Sequence, residues 1–260
     1  MVQIPMKTAG LLNRHTVLSI NQKRVQGAVT SQSIHTINTN KFPADTARTV
    51  SRSHENTAAQ PAHVLQETIP RKTIPRLIHP MQKGEKAALG FTTNTPCKIK
   101  ACLGWNVTND SCDVDVSAFL LNADGRVLGD SWFVFYGQEQ SPDKSTVFSV
   151  DSGADREIIS IDLQKLNAEV HKIVFVLTIN EALEKHLNFS MIQDAYIRII
   201  DQSSNQELAG FQMDEYYSNV TSMMIGELYK HNHVWKFHAI GNGVAKDLAG
   251  LCGLYGVQVI

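Results

Sequence analysis

Residues 113–121 read Asp-Val-Asp-Val-Ser-Ala-Phe-Leu-Leu, an acid–apolar alternation that passes into a wholly apolar run. At the strand period of two, Asp113 and Asp115 project from one face, ~7 Å apart. Two carboxylates that close either stay fully solvated or share a cation. An acidic face at the entry of an apolar strand is therefore a candidate site for a hard ion such as Ca2+, whose ligands are oxygens. A wet strand end is the competing reading of the same residues.

Other reactive combinations fail on spacing. Asp113-x-Asp115-x-Ser117 opens like an EF-hand loop, but the sixth position is Ala118 instead of Gly, the twelfth is Asp124, and no helices flank it. Gly241-Asn-Gly243 lacks the third glycine and the βαβ frame of an anion-binding loop, and reads as a turn that lets a helix pack. The four cysteines (Cys97, Cys102, Cys112 and Cys252) form no CxxC pair and no zinc-finger spacing, so they read as buried thiols in a reducing compartment. His231 and His233 flank Asn232 between two strand-like runs, the setting of a hairpin tip. Neither a nucleophile elbow nor an HExxH helix occurs. A metal-dependent hydrolase is accordingly the weakest functional class.

The acids must be positioned by strands. Short apolar or alternating runs at 98–105, 113–121, 132–136, 157–162, 171–179, 195–200, 208–213, 221–229 and 234–240 are separated by turn residues. This spacing predicts an all-β fold, a two-layer β-sandwich. Helical pattern is confined to 181–187 and 245–255, where Leu248, Leu251, Cys252 and Tyr255 recur at i, i+3, i+4 and i+7.

Charge divides the chain. Residues 1–80 hold ten Lys/Arg against three Asp/Glu, a balance of +7, whereas residues 81–260 hold fourteen against twenty-two, a balance of −8. The first part mixes Thr, Ser, Asn, Gln and Ala with little periodicity and ends in prolines, with Thr-Ile-Pro-Arg at 68–71 recurring at 73–76. It reads as a basic, mostly disordered tail and Pro-containing linker over 1–80, followed by a folded domain over 81–260. No apolar run approaches the ~20 residues that cross a bilayer. A cytoplasmic protein without a transmembrane segment is the expectation.

Across residues 81–260, matching segments in order resemble the TerD domain family of bacterial tellurium-resistance and general stress proteins. The 113–121 stretch is similar to the family's DLDASAFLL, and residues 133–136 followed by Ser141-Pro-Asp143 to its FVFYNQ…SPDG. Residues 172–179 resemble RIVFVVTI, Asn188-Phe with 194–198 resembles QNF…DAFIRI, and 226–229, 235–237 and 247–252 resemble GELYR, WKF and GLAGL. The resemblance implies a β-sandwich that is not an enzyme and binds Ca2+ through clustered acids. Carried over residue by residue, the metal set is Asp113, Asp115, Asp143, Asp151, Asp155, Glu157 and Glu181. The family's acidic glycine-rich loop corresponds here to residues 150–157 and is shorter by roughly five residues, with Arg156 in place of an acid. That departure leaves one metal site of weakened affinity, with Arg156 repelling the ion or pairing with an acid; the rival is a metal-free site in which Arg156 or Lys144 is the counter-ion. The implied role is a Ca2+-binding adaptor or scaffold in the stress response. Its expected partners are other Ter-type stress proteins or a membrane-associated stress complex, with no specific nucleic acid. The alternative is a metal-free scaffold that recruits proteins through its basic N-terminal arm.

Overall fold

The computed structural model describes residues 69, 71–92 and 97–259. The tail expectation for residues 1–68 lies outside the described residues. Among the described residues, eleven strands form two antiparallel sheets. The six-stranded sheet has the order β1(Lys86–Thr92), β11(Val234–Val244), β10(Ser222–His231), β7(Lys172–Ile179), β3(Val114–Leu121), β4(Phe133–Phe135). The five-stranded sheet runs β5(Thr146–Val150), β6(Glu157–Asp162), β2(Lys98–Val107), β8(Ile192–Asp201), β9(Glu207–Gln212). The expected all-β sandwich is the observed architecture.

Alternation along the strands explains the layers. In β3, Val116, Ala118 and Leu120 enter the core between the sheets, as do Ile173, Phe175 and Leu177 of the adjacent β7. Phe119 and Leu121 of β3, with Val174 and Val176 of β7, face the other way into a second apolar layer. That outer layer is closed by the helix α1(Leu248–Tyr255), whose Leu248, Leu251 and Cys252 are buried. Phe119 stacks on Phe133 at 4.4 Å and tilts against Tyr255 at 4.5 Å, contacts that contribute about 1 kcal/mol each beyond area burial. Because both faces of β3 are covered, all eight of its residues are buried, Asp115 and Ser117 among them.

Local chemistry ends the elements where the sequence indicates. Asp247 caps α1 by accepting the Gly250 N–H at 2.8 Å, and Gly256 closes it at φ 85, a left-handed conformation that costs glycine nothing. Asn232 and His233, at φ 50 and 60, form the two-residue turn between β10 and β11. Three expectations change. Residues 181–187 make turns, not a helix, because Glu181 and His186 adopt φ 52 and 55 and interrupt the helical hydrogen-bond ladder. Gly241 and Gly243 lie inside β11 instead of in a turn before a helix. A Cβ on Gly243 would meet Val220 at 2.5 Å, so the glycine serves close packing. Finally, β1 and β5 carry strand pairing without an apolar run to announce it.

Residues 71–80, assigned to the linker from sequence, lie with Met81 against the five-stranded sheet. His79 accepts the Gly210 N–H and Met81 donates to Gly210 O, at 2.9 and 2.7 Å, so this strap pairs with the exposed side of edge strand β9. Farther back it crosses to β2, where the Asn106 side-chain amide exchanges two hydrogen bonds with the backbone of Lys72.

Candidate functional site

The seven acids fall into three separate environments. Among the described residues, no group of three or more His, Cys, Asp or Glu is arranged to hold a metal ion.

The first environment is the open end of the outer layer. Strand period places Asp115 and Ser117 of β3 on the side facing α1, and register sets Asp115 opposite Thr178 of β7. A cavity opens there, lined by Asp115, Ser117, Tyr136, Thr178, Glu181 and Asp247, with Leu183 half exposed at its mouth. Ser117 Oγ and Thr178 Oγ1 are buried in this wall without a protein hydrogen-bond partner, although their residues are only 3% and 6% exposed. Glu181 holds Lys185 at 2.7 Å, and Asp247 is occupied in capping α1. Glu157, 2% exposed, reaches across from β6 and accepts the N–H of Val116 at 2.7 Å, next to Asp115. Asp113 is half-buried one step earlier and accepts the Asn180 N–H through its backbone carbonyl. Asp115 and Glu181 thus line the cavity at this end of β3, and Glu157 meets the strand at the Val116 N–H.

The second environment is the loop from β5 to β6. Asp151 accepts the Asp155 N–H at 3.1 Å and so braces its own loop. The Asp155 carboxylate points away from β3 onto the outer face of the other sheet. There Arg198 Nη2 donates to both its oxygens at 2.9 and 2.8 Å, and Tyr196 Oη donates at 2.8 Å. Burial opposes the Arg198 charge, but the Asp155 hydrogen bond and charge outweigh it and leave the guanidinium more basic than usual. Burial, then the same carboxylate, push the Tyr196 phenol upward, and the Cys102 thiol beneath is raised to about 12 for the same two reasons. Arg198 Nε and Glu207 Oε2 are buried in this network without a protein hydrogen bond, and Arg198 Nη1 lies 4.0 Å from Glu207 Oε2. Arg156 Nε donates to Trp105 O at 2.6 Å and its guanidinium lies 5.5 Å from the Trp105 ring centre. Burial lowers its basicity, against the favourable charges of Tyr196 and Glu157. The counter-ion of Asp155 is Arg198.

The third environment is a turn. Asp143 accepts hydrogen bonds from Ser141 Oγ at 2.7 Å, Ser145 N at 3.0 Å and Asn167 N at 2.8 Å. Burial would raise its pKa, but these donors prevail and hold the carboxyl below its ordinary range. Its acceptor capacity serves the turn.

The oxygen-only donor set of the β3 cavity fits a hard cation, with Asp115 and Glu181 as the charged members and the Ser117 and Thr178 hydroxyls beside them. The loop at 151–156 does not fit one, since a guanidinium already neutralises Asp155. Sequence reasoning missed Tyr196, Arg198, Lys72, Asn106 and Glu207. The alternation at 195–200 did place Tyr196 and Arg198 on one face; what it lacked was the pairing of β8 and β6 on either side of β2, which brings them to Asp155.

The fold is that of an all-β sandwich domain, and comparison with known proteins gives its family. The TerD domain family matches residues 77–255, and this chain belongs to it. The tellurium resistance protein TerD of Alcaligenes sp. is 36% identical over 186 residues, covering 68% of this chain and 97% of that protein. General stress protein 16U of Bacillus subtilis (strain 168) is 36% identical over 188 residues, covering 69% and 97%. A solved structure of a homologue of telluride resistance protein (TerD) from Streptomyces coelicolor A3(2) aligns at TM-score 0.48 and 15% identity, over 64% of this chain and 100% of that one. The family is one of tellurium-resistance and stress proteins and is not a known enzyme class. Among the described residues, no helix is long and apolar enough to cross a membrane.

Proposed function

We propose that this chain is a non-catalytic stress-response adaptor that holds one hard cation, Ca2+, weakly in the cavity at the end of β3. The observation that carries this reading is the pair of buried hydroxyls, Ser117 Oγ and Thr178 Oγ1, aimed without protein partners into a cavity that Asp115 and Glu181 also line. Buried hydroxyls of this kind call for an ion or an ordered water. Asp115 and Glu181 would supply the charge, and bound ion would tie β3 to the 180–184 turn. Few charged ligands mean low affinity, since Ca2+ affinity follows the ligand charge count and the rigidity of the site. The turn with Leu183 at the cavity mouth is the surface such an ion would stiffen, and a partner, in our reading another Ter-type stress protein or a membrane-associated stress complex, would dock there.

Calorimetric titration with CaCl2 tests the metal part. Weak binding that is lost in Asp115→Asn is expected. No heat and no rise in melting temperature at millimolar calcium would remove it. Recovery of a partner from host extract with and without chelator tests the adaptor part. A second reading, the metal-free scaffold, is favoured by the 151–156 loop, whose charges are met by Arg198 and whose carbonyls are met by Lys72.

A further inference from the structure

The ammonium of Lys72 donates to Gly153 O at 3.0 Å and to Asp155 O at 2.8 Å. Two carbonyls of one short loop therefore converge on a single cation, in the same loop that carries Asp151 and Asp155. Lys72 lies outside the family match, which begins at residue 77.

Its placement is over-determined. The Asn106 side chain accepts the Lys72 N–H at 2.9 Å and donates to Lys72 O at 3.0 Å, which fixes the backbone from which the side chain reaches. Arg71 pairs with Asp194, and Asn106 also donates to Asp194. Toward β9, Glu207 Oε1 accepts the successive N–H groups of Ile78 and His79 at 2.7 and 2.9 Å. The strap is thus held at both ends of its crossing by side chains of the sheet, with Lys72 aimed into the loop.

We infer that Lys72 is the resident cation of the loop between β5 and β6, a tethered ammonium that orders the loop where a free divalent ion would otherwise be needed. Docking of residues 71–81 and ordering of residues 151–156 are one event. The loop stays closed whether or not calcium is present, and releasing the strap opens it. This inference is independent of the cavity at Asp115.

Hydrogen exchange of the full-length chain tests it, read on a peptide spanning 150–157 with one from β7 as control. A charge-assisted hydrogen bond of ordinary strength predicts that Lys72→Met, which keeps length and removes charge, speeds loop exchange about tenfold or more. The β7 peptide stays unchanged, which shows that the variant is folded. Asn106→Ala, which frees the strap without touching the ammonium, speeds the loop in the same direction. In the unaltered chain, chelator and millimolar calcium leave the loop unchanged. Equal loop exchange in Lys72→Met and the unaltered chain would overturn the inference. So would loss of loop protection on adding chelator, or a strap released by Asn106→Ala above an undisturbed loop.

Discussion

Replacing Arg198 by Met keeps a long apolar stem on β8 and removes the guanidinium that faces Asp155. The Asp155 carboxylate is then left 6% exposed, with the Tyr196 hydroxyl and the Cys102 thiol as its remaining side-chain donors. Both oxygens lose a charge-assisted bond of 2.8–2.9 Å. Breaking a buried pair by removing one partner costs about 3–5 kcal/mol, because the survivor is an uncompensated charge. For a domain of this size that corresponds to a fall in melting temperature of roughly 6–20 °C. Asp155→Asn in the same background removes the stranded charge, so the double variant should recover a large part of the loss. Urea unfolding of the four proteins at neutral pH gives the cycle directly. A cost under about 1 kcal/mol for Arg198→Met, or a double variant no more stable than the single, would refute the claim that this pair closes the loop's outer face.

Three further outcomes follow from particular contacts. Asp143 has its folded-state pKa held down, so its contribution is present above the ordinary carboxylate range and is lost as pH falls through the folded value. Asp143→Asn should therefore be less stable than the unaltered chain by about 1 kcal/mol at neutral pH, and the gap should close in urea titrations as pH falls below the ordinary carboxylate range. A Cβ on Gly104 would fall on the ring of buried Tyr196, so Gly104→Ala should cost about 1–3 kcal/mol by thermal melting. His233 holds φ 60 in the β10–β11 turn; His233→Gly produces Asn-Gly, which suits this turn type, and should stabilise the protein by about 1 kcal/mol in the same assay.

Much of the sandwich was legible in local pattern. The nine apolar or alternating runs became strands, the Asn232-His233 tip became a tight turn, and Leu248, Leu251 and Cys252 marked the buried face of α1. These features depend on side-chain period and turn chemistry, which act over a few neighbours. The candidate site was less legible. Asp113 and Asp115 were read as a pair, yet only Asp115 lines the cavity. Asp143 resembles a family ligand, and its carboxylate accepts hydrogen bonds from Ser141, Ser145 and Asn167, which nothing in its spacing announced. Glu181 at a positive φ broke an expected helix, because 181–187 has apolar spacing that suits either a helical turn or a series of tight turns.

Sequence alone determined the all-β class, the division of charge and the family, since each is carried by residue order or composition. The partners of the acids were decided only by the tertiary structure. Arg198 meets Asp155 because β8, β2 and β6 lie side by side, and Lys72 meets the same loop because a strap 81–83 positions away in the chain crosses the sheet to reach it. Charges attract through space, and residues far apart in the chain become neighbours only when the strands pair.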